Sequence, residues 1–367
     1  MITHENIEII HYFLQVDKAL FKVMLAQLLA EYKAIHTPVR IVIFDAPADN
    51  EEYVARFACI REAVKELFKE KQPSVSYVAQ PPQRMGLVME VHEVQLTEQD
   101  HIEYRILGDL PYITIEREGC KRLFLSGVTG DVLHQSIREQ SHEVFSRIAR
   151  VLETEGMPVS SIIRQWNYIE KITACDATGH QHYQDFNDAR SLFYNGVEWT
   201  TGYPAATGIG ANLGGILVDL DAAVFARSEC YATPIDNKLQ IAAHAYSDQV
   251  LEAAQQKKAT PKFERAKSMT FDDRRIVYIS GTAAIRGEES LVGVGLGRQL
   301  HITMENIGQL IGKAKLKMLR VYLKEKSFYE EARELLEGYN LNIPISYMWA
   351  DVCRDELLIE IEGIAIE

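Results

Sequence analysis

Arg122-Leu123-Phe124-Leu125-Ser126-Gly127 and, further along, Arg275-Ile276-Val277-Tyr278-Ile279-Ser280-Gly281 are the two stretches on which the fold turns. Each is a short apolar run of strand type that passes straight into Ser-Gly. After each comes a run with helical spacing, EQSHEVFSRIARVL over 139–152 and RQLHITMENIGQLI over 298–311. Laid on one another without gaps, Gln140 falls on Gln299, His142 on His301, Phe145 on Met304 and Ile148 on Ile307, and Val151 and Leu152 fall on Leu310 and Ile311. Each helix then leads to a strand that carries an arginine, Ile162-Ile163-Arg164 or Met318-Leu319-Arg320. Amphipathic helices share apolar spacing in any protein, so the helices alone prove little. The shared order of strand, Ser-Gly, helix, strand and arginine carries the repeat. It predicts an α+β protein: two copies of one unit, each a mixed sheet with helices packed on one face.

Upstream of the repeat, Phe13 to Tyr32 places apolar residues at helical spacing and predicts an amphipathic helix. Arg40–Phe44, Val75–Val78 and Leu87–Val94 read as strands, with Pro81-Pro82 marking a turn, and Phe57–Lys69 as a helix. Tyr112–Glu116 and Arg122–Leu125 read as a hairpin. The expected division is an N-terminal helical extension over 1–36, a first domain over 37–170 and a second over 171–367. The segment Ile169 to Gly215, rich in Gly, Thr, Tyr and Asn, has no earlier counterpart and reads as a site-bearing insert.

With 367 residues, 47% apolar and 25% charged, the chain has ordinary globular composition and length for two cores. A formal charge of −13 disfavours a nucleic-acid partner, whose phosphates need a basic surface. An anionic substrate would then rely on local arginines, whose planar fork matches a carboxylate. The five cysteines, Cys59, Cys120, Cys175, Cys230 and Cys353, are scattered with no CxxC pair, which argues against a disulfide framework or thiolate zinc and for a reducing, cytoplasmic setting. Met1 to Ile10 do not read as a secretory signal. No apolar run approaches the ~20 residues that span a bilayer, so no membrane is expected.

The sequence has no phosphate loop, no HExxH, no GxSxG elbow and no His/Asp/Glu cluster at ligand spacing. His180 and His182 read as polar surface residues. Gly208 to Gly215, GIGANLGG, lacks the preceding strand of a dinucleotide loop, since Tyr203-Pro204 stands before it. What remains is a set of arginines and tyrosines around 164–210 and a carboxylate pair. In Leu358-Ile359-Glu360-Ile361-Glu362, strand alternation puts Glu360 and Glu362 on the face of Leu358. Two readings stand: a buried carboxyl with raised pKa, fit for a general acid, or an edge strand with both acids solvated.

The motifs RQWNYI (164–169), YQDFNDAR (183–190), YPAATGIG (203–210), FERA (263–266), YISGTAAI (278–285) and CRDELLIEIE (353–362) together resemble the chorismatase family, in its order, over 122–367. The C-terminal part also resembles the wider YjgF/RidA group. The resemblance implies two YjgF/RidA-like, chorismate-mutase-like domains and a site that binds chorismate without metal or organic cofactor. It implies Glu360 as the acid that protonates the enolpyruvyl methylene, with Cys353 and Ala266 in the catalytic set where family members with different products differ. It implies Arg164, Arg190 and Arg265 for the substrate carboxylates, and Tyr194 and Tyr203 as wall or hydroxyl contacts. Glu288 and Asp185 depart from the family, which commonly has His and Gln there.

The expected activity is cleavage of chorismate to pyruvate and 4- or 3-hydroxybenzoate for secondary metabolism. The alternatives are a hydrolase giving pyruvate and a dihydroxycyclohexadienoate, a RidA-type imine deaminase, and a non-catalytic small-molecule binder. Trp166-Asn167-Tyr168 and the Tyr203-to-Gly208 motif argue against the deaminase. Monomer and trimer are both open.

Overall fold

The computed structural model describes residues 9–247, 260–271 and 274–367. The first stretch runs β1 (Ile9–Val16), α1 (Phe21–Glu31), β2 (Thr37–Phe44), α2 (Asn50–Phe68), β3 (Ser74–Val78) and β4 (Leu87–Val94). Then come β5 (His101–Leu107), β6 (Leu110–Arg117), β7 (Cys120–Thr129), α3 (Ile137–Thr154), β8 (Ile162–Glu170), α4 (His182–Phe193), β9 (Ala205–Ala211) and β10 (Ile216–Val224). The last stretch holds β11 (Cys230–Ile235), β12 (Ala266–Phe271), β13 (Arg274–Ala283), the small hairpin β14 (Ile285–Arg286) and β15 (Glu289–Ser290), α5 (Gly295–Ile311), β16 (Lys315–Leu323), α6 (Tyr329–Glu337), β17 (Ile345–Trp349) and β18 (Ile359–Ile366).

The described strands form three main sheets, ordered β1-β4-β2-β3, β5-β6-β7-β10-β8-β9 and β11-β12-β13-β18-β16-β17. The last four strands of each six-stranded sheet repeat the first sheet's order and directions, with only the final pair parallel. The α+β class with helices on one face of each sheet is thus the one read from the sequence. The unit occurs three times where the sequence predicts two copies, and the N-terminal copy carries no close match to RLFLSG. Register makes the equivalence specific. Arg164 stands opposite Asp221 and Trp166 opposite Asp219. Arg320 stands opposite Glu362 and Tyr322 opposite Glu360. Arg40 stands opposite His92 and Val42 opposite Glu90. Glu360, Asp219 and Glu90 therefore occupy one repeated position.

Each sheet turns one face to its helices. α3 shows why: Ser136 and Glu139 form a reciprocal capping box at its start, and Val144, Phe145, Ile148, Val151 and Leu152 make one buried stripe against β7 and β10. Burial of each such side chain contributes about 1.5–3 kcal/mol. The other faces meet in a common core that joins Val39 and Val94 to Ile113 and Phe124 and to Tyr278 and Ile364.

Three sequence expectations change. The helix expected over 13–32 is the strand β1 followed by α1, because β4 offers a free edge and β1 pairs with it along its whole length. The expected 1–36 extension thus supplies a strand of the first sheet, although 1–8 lie outside the described residues. The boundary expected at 170/171 falls between β8 and β9, which pair in parallel within one sheet. The segment 169–215, read as an insert, is α4, β9 and their turns, regular members of the second unit.

Candidate active site

The edge of the second sheet abuts the third. Ala206 N in β9 donates to Ser280 Oγ in β13 at 2.9 Å, and that hydroxyl donates to Glu264 O at 2.6 Å. A cavity of about 590 Å3 opens at this boundary, walled by α4, β9, the end of β13 and the segment leading into β18. Glu360, Cys353, Arg265 and Arg354 line it, with Tyr183, Asn187 and Tyr246.

β18 lies in the middle of the third sheet, between β13 and β16. Its odd residues, Ile359 and Ile361, pack into the helix-side core, so Glu360 and Glu362 face inward. Both are buried, which removes the reading of a solvated edge strand. Glu362 is fully compensated. Arg164 Nη2 and Thr207 Oγ1 bond to its Oε2. Arg320 Nη1 at 2.6 Å and Tyr322 OH at 2.8 Å donate to its Oε1. Arg320 continues to Glu90 at 2.6 Å and Tyr168 OH at 2.8 Å. The repeated arginines of β8 and β16 thus hold one carboxylate between them.

Glu360 differs. Among the described residues it has neither ion-pair nor hydrogen-bond partner. Burial pushes its carboxyl up to about 8, reinforced by the Glu362 charge and opposed by Arg164 and Arg265. At neutral pH it is a protonated acid facing a cavity. Gly281 makes room for it: a Cβ there would stand against Glu360 Oε1 and 3.1 Å from Thr207 Cγ2. Gly208 does the same for Tyr183, whose ring edge would be 3.2 Å from an added Cβ.

Of the other expected site residues, Arg265 lines the cavity. It donates to Ile241 O at 3.0 Å and to Tyr246 OH, and its Nη1 takes no partner among the described residues. Cys353 also lines it, its thiol pushed up to about 12 by burial and the Glu360 charge, so it is a neutral group. Arg164 sits behind Glu360, its Nη2 on Glu362 and its buried Nη1 without a partner. Arg190 lies under the wall and donates to Asn187 Oδ1 at 2.6 Å; Asn187, rather than Arg190, faces the cavity. Tyr194 donates to Gln165 Oε1 at 2.8 Å and stacks on Tyr203, with ring centroids 5.9 Å apart; neither lines the cavity. Ala266 is wholly buried on the helix side of β12 and does not line it either. Arg190 and Ala266 fall behind the wall because helix and strand periodicity turn them away from it, and Tyr194 and Tyr203, just past α4 and just before β9, stack on each other instead.

Sequence reasoning missed Arg354, Tyr246, Tyr183 and Asn187. Arg354 donates to Glu288 O and Ser290 Oγ, both at 3.0 Å. It and Arg265 lie 5.3 and 5.4 Å from the Tyr246 ring centroid. Three of the four sit within quoted motifs, beside the residues chosen; Tyr246 had no signal. No cluster of three or more metal-ligating side chains occurs among the described residues, and no described helix is long and apolar enough to cross a membrane.

Residues 91–222 match the family model for the N-terminal part of FkbO/Hyg5-like chorismatases. A 3-hydroxybenzoate synthase of Streptomyces hygroscopicus is 30% identical over 252 residues, which cover 62% of this chain and 69% of the relative. The chain belongs to the chorismatase family. A second chorismatase, from Streptomyces rapamycinicus, is 29% identical over 241 residues, covering 60% of this chain and 68% of its own length. The crystal structure of a chorismatase matches the fold over 98% of this chain and 100% of its own, with a TM-score of 0.72 at 19% identity. The fold of this chorismatase is therefore shared along nearly its whole length, including the N-terminal unit.

Proposed function

We propose that the chain cleaves chorismate to pyruvate and a hydroxybenzoate, with Glu360 as the acid. The observation that carries the reading is Glu360 itself: a protonated, unpartnered carboxyl facing a cavity that also presents guanidinium groups. The Glu360 proton passes to the methylene carbon of the enolpyruvyl ether and leaves an oxocarbenium at the ether carbon. The carboxylate so formed stands beside that cation and stabilises it. The ring C–O bond then breaks with its electron pair going to the oxygen, which releases pyruvate, and the ring gives up a proton to that carboxylate as it becomes aromatic, restoring the acid. Pyruvate and hydroxybenzoate together contain the atoms of chorismate and no more, so this outcome requires water to be kept from the cation. Water attack would instead give pyruvate and a dihydrodiol.

Arg265, which lines the cavity, is the residue to hold a substrate carboxylate; bidentate guanidinium pairs suit that task. Arg164, buried behind Glu360 and absent from the cavity lining, acts through Glu362 and the charge it sets beside Glu360. Arg190 acts through Asn187, which it holds in place. Cys353, a neutral thiol on the wall, shapes the space around the reacting ether and is no nucleophile. Ala266 and the Tyr194–Tyr203 stack support the wall from behind.

The test is incubation of the purified chain with chorismate, pyruvate being read by coupling to lactate dehydrogenase and ring products by chromatography. Pyruvate with a hydroxybenzoate is the expected result. Pyruvate with a non-aromatic diol would overturn the water-exclusion step. Absence of pyruvate would overturn the function.

A further inference from the structure

A second cavity, of about 570 Å3, lies where α2 meets the β5–β6 hairpin and the segment after β7. It is the counterpart, between the first and second sheets, of the boundary that holds Glu360. Ser126-Gly127 stands two residues before the end of β7 as Ser280-Gly281 does in β13, and α2 follows β2 as α4 follows β8. The acid position is sealed here. Asp219 Oδ1 accepts from Ser76 Oγ and, at 2.8 Å, from Gly127 N, and Asp219 does not reach the cavity. The space is instead an apolar slot of Tyr53, Phe57, Pro111 and Leu133 with the Arg61 guanidinium in its wall, 4.1 Å from the Phe57 ring centroid. Its rim leaves Ile106 65% and Leu133 44% exposed, apolar surface that an occupant would cover.

Arg61 is poorly satisfied. Nη2 donates to Gly127 O at 3.1 Å, Nη1 reaches Asp109 Oδ2 at 3.2 Å, and Nε is buried without a partner. Asp109, at the hairpin tip, is 60% exposed and is also paired to Arg147 of α3. Two arginines from different units thus converge on one exposed carboxylate beside an apolar slot, which is how a protein receives a small carboxylic acid.

We propose that this cavity is a non-catalytic binding site for a small ring carboxylate, its ring in the slot and its carboxylate replacing Asp109 against Arg61. The proposal does not depend on the reaction assigned to Glu360. The test is calorimetric titration of the full chain with benzoate, in an Arg265→Met, Arg354→Met background so that the two guanidiniums lining the other cavity do not contribute. One site is expected. Adding Arg61→Met weakens it at least about tenfold. Adding Asp109→Asn, an exposed change that leaves the core intact, tightens it up to about fivefold because the internal competitor is gone. Neutral benzamide does not bind. No heat with benzoate, equal binding of benzamide, or affinity unmoved by both substitutions would overturn the proposal.

Discussion

Glu360→Gln tests the central reading through two independent readouts. Glutamine keeps the shape but carries no acidic proton, so turnover falls by about 10²–10⁴. The stability readout comes from linkage. In the folded chain the carboxyl holds its proton up to about 8, whereas the ordinary value is 4.5. Between those values the unfolded chain has lost the proton and the folded chain keeps it, so rising pH favours unfolding by up to about 1.4 kcal/mol per pH unit. Glutamine removes this dependence. The stability of Glu360→Gln relative to the parent should therefore rise by about 2–4 kcal/mol between pH 5 and pH 8, measured by urea unfolding at each pH. Taking the difference cancels the titrating groups that do not sense the Glu360 charge. The same proton governs activity, so the parent's kcat/KM stays level below about pH 8 and falls above it. A stability difference that is flat in pH would mean that Glu360 is ionised in the native chain, and an active Glu360→Gln would mean that another group protonates the substrate. Either result refutes the assignment.

Gly281→Ala puts a methyl group against Glu360 Oε1; the acid must move, and activity should drop at least about a hundredfold with a stability loss of about 1–3 kcal/mol, seen in steady-state kinetics and urea unfolding. Arg164→Met leaves Glu362 with half its cationic support and should destabilise the chain by about 3 kcal/mol or more; losing a cation near Glu360 also moves the high-pH limb of the rate profile upward. Cys353, held as a thiol up to about 12, should resist iodoacetamide at pH 8 while exposed Cys175 is alkylated, a contrast that peptide mass spectrometry reads directly.

The repeat around Ser126-Gly127 and Ser280-Gly281 was legible because its helices keep strong apolar spacing and each next strand carries an arginine. The first unit was not, since β1 reads as part of a helix until β4 is there to pair with it. At the site, residue identity was more legible than orientation. Glu360 alternates with Ile359 and Ile361, and this pattern alone turns it off the helix side. Arg190 and Asn187 are three apart on α4, and only packing decides that Asn187 looks into the cavity and Arg190 braces it from below. Arg354 lay next to Cys353 in the quoted motif; its role as a cavity guanidinium depends on the small β14–β15 hairpin, which no sequence pattern announced.

The threefold repeat explains why one carboxyl of three can serve as an acid. Glu90, Asp219 and Glu360 hold the same position, and all are buried. Glu90 is bound by Arg320 and by His92 at 2.5 Å. Asp219 is bound by Ser76 and the Gly127 amide. Each of these closes a boundary between sheets through hydrogen bonds or an ion pair of its own, and neither lines the cavity that Glu360 faces. At the third boundary, Thr207, the residue of β9 that matches Ser76 of β3, turns its hydroxyl to Glu362 instead. The arginines of β8 and β16 also go to Glu362, so its neighbour Glu360 is left desolvated beside a negative charge. Its proton is held by that arrangement rather than by any partner of its own. A hydrogen-bond donor that engaged Glu360, such as a hydroxyl introduced at Ala283 opposite it in β13, would lower its pKa and weaken it as an acid even with every other cavity residue intact.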